Sequence, residues 1–138
     1  MRSILILLCA AVCHAKDDQR VLRAIANVES GYDYSAVGDR GRSLGAYQMQ
    51  SASWSEANQW LASNGMRQRP RSSWRDPQTQ HIMADAFLQV IRRRFLSIGI
   101  QHPTPAQIAV VWNRGWGAAS RSGFRPNDYA LRVQNLCP

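Results

Sequence analysis

The sequence predicts one mainly α-helical domain with a small irregular or β-hairpin insert after the first helix. Its 138 residues, 45% hydrophobic and 19% charged, suit a single packed core. Apolar residues recur at helical spacing in several segments, and capping residues precede most of these segments. Between residues 32 and 50 this spacing is lost, and Gly38, Gly41 and Gly45 interrupt the chain. An insert that is irregular or forms a small hairpin is therefore expected there.

The first two helices of the domain are predicted from their end signals. Asp17 or Asp18 can cap a first helix that ends at Ser30-Gly31. Ser53-x-x-Glu56 matches the capping-box pattern, and it is expected to open a second helix that ends at Asn64-Gly65.

Three further helices follow a basic loop that contains Arg67 to Arg75. Asp76-Pro77 should begin a long helix that continues to Gly99. Thr104-Pro105 precedes a helix over residues 106–112, and Asn127-Asp128 opens a last short helix that runs to residue 136.

The net charge of +8 is carried almost entirely by arginine, which accounts for 16 of the 17 basic residues. Guanidinium groups favour planar anions such as carboxylates and phosphates, so an anionic partner is expected. The composition excludes collagen, a coiled coil, a disulfide-dense scaffold and a chain with several membrane spans.

Residues 1–15 have the pattern of a secretory signal peptide. A basic start at Arg2 precedes an apolar run that is too short to span a membrane, and small residues precede Lys16. Cleavage after Ala15 would leave residues 16–138 as a secreted or periplasmic domain without a membrane span, in which Cys137 has no partner for an internal disulfide. The alternative is a buried N-terminal helix.

Glu29 is the residue whose position most favours chemistry. It continues the apolar stripe of Leu22 and Ile25 at the end of the first helix, next to the glycine-containing insert. A carboxyl group placed there is partly desolvated, which raises its pKa as a general acid requires. The alternative is a helix-end glutamate that turns back to solvent.

Four motifs support the first interpretation of Glu29. In chain order they are Glu29-Ser30, Gly45-Ala46-Tyr47-Gln48, Val111-Trp112-Asn113-Arg114-Gly115 and Asp128-Tyr129-Ala130-Leu131-Arg132-Val133. Together they resemble the lysozyme-like superfamily, in particular the group of soluble lytic transglycosylases and goose-type lysozymes. The third motif departs from the Tyr-Asn-x-Gly pattern of that group by having Trp for Tyr.

The resemblance implies a glycosidase that cleaves β-1,4 bonds between N-acetylmuramic acid and N-acetylglucosamine in peptidoglycan. It implies that Glu29 protonates the glycosidic oxygen and that Tyr129 packs near Glu29 and orients it. Gln48 and Asn113 would hydrogen-bond the sugar, and Ser30, Tyr47 and Tyr129 would also belong to the substrate-binding residues.

Aromatic residues within these motifs have two interpretations. Tyr47 and Trp112 would stack on sugar faces if they reach the substrate, and they would be core residues if they do not. Trp112 continues the apolar helix of Ile108 and Val111, which favours the core.

A second carboxylate would decide the type of reaction. Asp33 and Asp39 are the candidates, and Asp39 lies between glycines where an aspartate often only builds a turn. In lytic transglycosylases a single glutamate serves as acid and base and the product is an anhydro sugar. Goose-type enzymes use a nearby aspartate to position water. The sequence leaves both routes open.

Functions of other classes are also compatible with a basic domain. The alternatives are a catalytically silent wall-binding module and a nucleic-acid-binding module, although no nucleic-acid motif is present and a signal peptide points away from the cytoplasm. We expect a monomer that acts on peptidoglycan glycan strands, with no cofactor, no metal and no nucleic acid.

Overall fold

The computed structural model describes the backbone of residues 2–138 and the side chains of residues 14–138. The helices are α1 (Arg2–Ser30), α2 (Ser51–Ser63), α3 (Pro77–Ser97), α4 (Pro105–Arg114), α5 (Trp116–Arg121) and α6 (Asp128–Asn135). Strands β1 (Val37–Gly38) and β2 (Ser43–Leu44) form an antiparallel hairpin between α1 and α2. The predicted class, mainly α with a hairpin after the first helix, is confirmed.

Most of the predicted signal peptide lies outside the described side chains, which begin at His14. Among the described residues, no helix combines the length and apolar character needed to cross a membrane.

The predicted start of the first helix, at Asp17 or Asp18, is wrong, because α1 begins at Arg2. Residues 2–30 contain neither glycine nor proline, so nothing in the chain ends the helix before the aspartates. Asp18 is buried and accepts a hydrogen bond from Arg92 Nε at 2.7 Å instead of capping. The predicted end at Ser30-Gly31 is confirmed, since Gly31 has φ +64° and its N–H donates to Asn27 O.

The predicted capping box of the second helix is also wrong. Gln50 is the N-cap of α2, and its backbone N–H donates to Ser53 Oγ at 3.2 Å. Glu56 lies beyond the first turn and pairs with Arg94 of α3. The local pattern was misleading because a residue outside it, Gln50, caps the helix.

The remaining predicted helices begin where their caps indicate. Asp76, Thr104 and Asn127 each accept a hydrogen bond from the backbone N–H three residues later. The short helix α5 was not predicted, because glycines, which disfavour helices, lie before it at Gly115, within it at Gly117 and after it at Gly123.

The core is formed where α3 packs against α2 and α1, and where α6 packs against α4 and α1. Its largest fully buried hydrophobic side chains are Phe95, Ile25, Met83, Leu88, Ile91, Ile108, Val110, Val111 and Val133. The apolar stripe predicted for the first helix is confirmed, since Leu22 and Ile25 are buried and Glu29 follows them at the helix end.

Gln80 of α3 attaches the insert to the core. Its buried side chain accepts a hydrogen bond from Ala46 N at 2.8 Å and donates to Tyr34 O and Trp74 O. Gly45 is required beside it, because φ is +79° and a Cβ there would lie 2.3 Å from Gln80 Oε1. The loop that carries Gln48 is thereby fixed against α3.

Candidate active site

A cleft of about 420 Å³ lies between the hairpin, the end of α1 and the helices α2, α4 and α5. This volume is within the usual range of ligand-binding pockets. Four predicted site residues line the cleft: Glu29, Asp39, Gln48 and Asn113. The topology therefore brings together residues that are up to 84 positions apart in the sequence.

Glu29 is half-buried at the wall of the cleft. Burial raises the pKa of its carboxyl group, a hydrogen bond from Tyr129 opposes this increase, and the negative charge of Asp39 adds to it. The Tyr129 hydroxyl donates to Glu29 Oε1 at 2.8 Å. The structure thus places Tyr129 against Glu29, as predicted, and leaves Oε2 without a hydrogen bond from a described side chain.

Asp39 has the opposite environment in the same cleft. Ser43 Oγ donates to Asp39 Oδ2, and Gln50 Nε2 donates to the same oxygen at 3.3 Å. The hydrogen bond from Ser43 holds the pKa of this exposed carboxyl group below its usual value, and desolvation opposes this only in part. Asp39 has φ +49°, so it also builds the turn between the two strands.

The two amide residues of the predicted site also have structural partners. Gln48 Nε2 donates to Gly45 O at 2.9 Å, and Gln48 Oε1 lies against Gly38, where a Cβ would be only 2.1 Å away. Asn113 Oδ1 accepts a hydrogen bond from Asn127, the N-cap of α6. Asn113 therefore connects the end of α4 to the helix that carries Tyr129.

Ser30 and Tyr47 are not among the residues that line the cleft. The Ser30 hydroxyl donates to Ala46 O at 2.8 Å and connects the end of α1 to the insert. Tyr47 is buried, and its hydroxyl is hydrogen-bonded to His81 Nδ1 at 2.7 Å. In this structure both residues position the insert.

Trp112 packs against the core and also lines the cleft. It is half-buried, its ring packs edge-on against Phe87 at 4.9 Å, and its Nε1 donates to Tyr47 O. The structure leaves the question of stacking on a sugar open.

Several residues that line the cleft or hold its side chains were not predicted as site residues. Ser43 and Gln50 hold Asp39, and Trp116, Glu56 and Arg94 line the cleft at α5, α2 and α3. Ser43, Gln50 and Glu56 have no local signal for these roles, since each acquires its role through a tertiary contact. Trp116 follows the Asn-x-Gly motif directly, and this position is a local feature that could have marked it.

The three consecutive arginines of α3, Arg92, Arg93 and Arg94, have different surroundings. Arg92 pairs with Asp18, Arg94 pairs with Glu56, and Arg93 is exposed. Arg71 donates to the backbone oxygen of Arg42 near the hairpin. Among the described side chains, no group of three or more His, Cys, Asp or Glu residues is arranged to hold a metal ion.

No protein-family model matches this chain, and no curated protein or solved structure is similar to it at the threshold applied. The resemblance to the lysozyme-like superfamily therefore rests on the four sequence motifs.

Proposed function

We propose that this protein is a glycosidase that cleaves β-1,4 bonds between N-acetylmuramic acid and N-acetylglucosamine in peptidoglycan, with Glu29 as its general acid. One observation carries the proposal: a half-buried carboxyl group with a raised pKa lies in a cleft, and a tyrosine fixes one of its oxygens. A carboxyl group of this kind stays protonated at a higher pH than a solvated one, as a glycosidase acid must.

The hydrogen bond from Tyr129 determines which oxygen donates the proton. A hydroxyl that donates to Oε1 makes this oxygen the acceptor, so the acidic proton resides on Oε2. Glu29 Oε2 then protonates the glycosidic oxygen as the bond breaks, and the hydrogen bond to Oε1 stabilises the carboxylate that results. Tyr129 is thus a positioning residue in this proposal.

The contrast between Glu29 and Asp39 supports two roles for two carboxyl groups. Asp39 has a lowered pKa and is ionised under conditions that keep part of Glu29 protonated. In the hydrolytic route Asp39 takes a proton from the attacking water. In the transglycosylase route Glu29 acts alone, taking a proton from the hydroxyl of the sugar that closes the anhydro ring. The cleft residues Gln48, Asn113 and Trp112 would contact the glycan in either route.

The site of action follows from the signal-peptide pattern. Export with cleavage after Ala15 would place residues 16–138 in the compartment that contains peptidoglycan.

The experiment that tests this proposal is digestion of purified sacculi with the wild-type protein, followed by mass spectrometry of the released fragments. Release of disaccharide-containing fragments is expected. New reducing ends would indicate hydrolysis, and anhydro ends would indicate transglycosylation. Binding to sacculi without release of fragments would contradict the proposal and favour a silent wall-binding module.

Asp39→Asn, compared with Asp33→Asn, separates the two routes. Asp33 was the other candidate carboxylate, but it is exposed, hydrogen-bonded to Ser35 and not part of the cleft lining. If Asp39 activates water, only Asp39→Asn should lose reducing-end products. If Glu29 acts alone, both variants should retain the wild-type product pattern.

A further inference from the structure

The ion pair between Glu56 and Arg94 faces the cleft and has no role in the chemistry proposed above. We propose that Arg94, held in place by Glu56, binds a carboxylate carried by the muramyl unit of the glycan. This inference rests on the proposed function and deepens it by assigning a residue that selects the substrate.

The geometry holds the guanidinium group at two points. Arg94 Nη1 donates to Glu56 Oε2 at 3.2 Å, and Arg94 Nη2 donates to Glu56 Oε1 at 3.0 Å. A guanidinium group has five N–H donors, so further donors are available after this pairing. No other described side chain accepts from them, and the side chain is 36% exposed. Arg94 is therefore both oriented and open to a ligand.

The ion pair is not needed to hold α2 and α3 together. These helices pack closely against each other, and both bury apolar residues in the core, among them Trp54 and Leu61 of α2 and Phe87 and Ile91 of α3. Partly exposed ion pairs add little to such packing. Arg92 differs in this respect, because it pairs with Asp18, which is buried and lies outside the cleft lining.

An aromatic side chain lines the same cleft as the guanidinium group. Trp116 lines the cleft, and its ring packs against Phe95, the residue that follows Arg94, at 5.1 Å. Aromatic faces stack on the apolar faces of sugar rings. A ring that carries an anionic substituent fits this combination better than a neutral sugar does, because a carboxylate pairs with a guanidinium group through charge-assisted hydrogen bonds.

The carboxylate has two possible sources in peptidoglycan that share this chemistry. It belongs either to the stem peptide or, where the peptide has been removed, to the lactyl group of muramic acid. Three substrates distinguish these sources: strands that carry peptides, strands freed of peptides by an amidase, and strands whose carboxyl groups have been converted to methylamides.

The test measures kcat/KM of Arg94→Gln and Arg93→Gln on these three substrates. Arg93 is the matched control, because it is the neighbouring arginine on α3 but lies outside the cleft lining. Loss of one charge-assisted contact is expected to lower kcat/KM of Arg94→Gln about tenfold, mainly through KM. This loss should occur on the strands whose carboxylate Arg94 binds, either those that carry peptides or those freed of peptides. The kcat/KM of the wild type should fall by a similar factor on the methylamide strands, whereas the kcat/KM of Arg94→Gln should not fall further on them.

Arg94→Lys and the thermal midpoint of each variant separate binding from folding. The lysine variant keeps the charge but not the planar donor group, so it should recover part of the loss. The inference would be overturned, while the proposed function stands, if Arg94→Gln lost the same factor of kcat/KM on all three substrates. It would also be overturned if the wild type cleaved methylamide strands as well as carboxylate-bearing strands. A wild type that cleaves none of the substrates would overturn both.

Discussion

Replacement of Tyr129 by phenylalanine should raise the pKa of Glu29. The Tyr129 hydroxyl donates to Glu29 Oε1 at 2.8 Å, and this hydrogen bond lowers the pKa by stabilising the carboxylate. Phenylalanine keeps the ring and removes only the donor. Burial and the charge of Asp39 then act without opposition, and both raise the pKa.

The magnitude follows from the strength of a hydrogen bond to a charged acceptor. Such a bond contributes about 1.5–3 kcal/mol when the acceptor is shielded from water. Glu29 is only half-buried, so we take about half of this range, roughly 0.8–1.5 kcal/mol, as the free energy by which Tyr129→Phe destabilises the carboxylate. The fraction of protonated Glu29 at neutral pH should increase accordingly.

The assay is a ¹³C NMR titration of the glutamate side-chain carboxyl carbons. The chain contains only two glutamates, Glu29 and Glu56, so selective labelling gives two signals and Glu56→Gln assigns them. The Glu29 signal of Tyr129→Phe should titrate at higher pH than that of the wild type, and the Glu56 signal should be unchanged. An unchanged or lowered pKa of Glu29 would refute the argument that Tyr129 stabilises the carboxylate.

Three further predictions concern packing, pH dependence and export. Gly45→Ala should lower the free energy of unfolding by about 1–3 kcal/mol more than Gly41→Ala does. Both positions have positive φ, but only Gly45 lies against Gln80. Equal free energies of unfolding in urea titrations of the two variants would contradict this. Glu29→Gln should be more stable than the wild type at pH 7 by up to about 1 kcal/mol, since the raised pKa makes the buried carboxylate unfavourable. That difference should disappear as the pH falls through the folded-state pKa to below the unfolded-state pKa, and a difference that persists at acidic pH would argue against this origin. The exported protein should begin at or near Lys16 when its N-terminus is sequenced, and material that begins at Met1 would exclude the cleavage.

The parts of the fold that depend on local chemistry could be predicted from the sequence. The caps at Asp76, Thr104 and Asn127 involve contacts within three residues, and the structure has all of them. The predicted start of α1 and the predicted capping box of α2 were wrong. Asp18 and Glu56 do not cap these helices but form ion pairs with arginines of α3. Sequence patterns do not reveal which distant residue competes for a side chain.

The site, like the fold, was predicted from the sequence only in part. The apolar stripe indicated that Glu29 would be partly desolvated, but only the family resemblance brought Tyr129, 100 residues away, to its side. The residues that hold Asp39 and the pair of Glu56 and Arg94 required the packing of the hairpin, α2 and α3.

The central claim is that Glu29 is the acid that cleaves the glycan, and the most direct measurement compares Glu29→Gln with Glu56→Gln in the release of soluble fragments from sacculi. The amide keeps the shape of the side chain but cannot supply the proton. Turnover by Glu29→Gln should therefore fall on the order of a hundredfold or more, while the folded protein still binds sacculi. Glu56→Gln removes the other glutamate of the same cleft and should keep most of the maximal rate. Near-normal fragment release by folded Glu29→Gln would contradict the account.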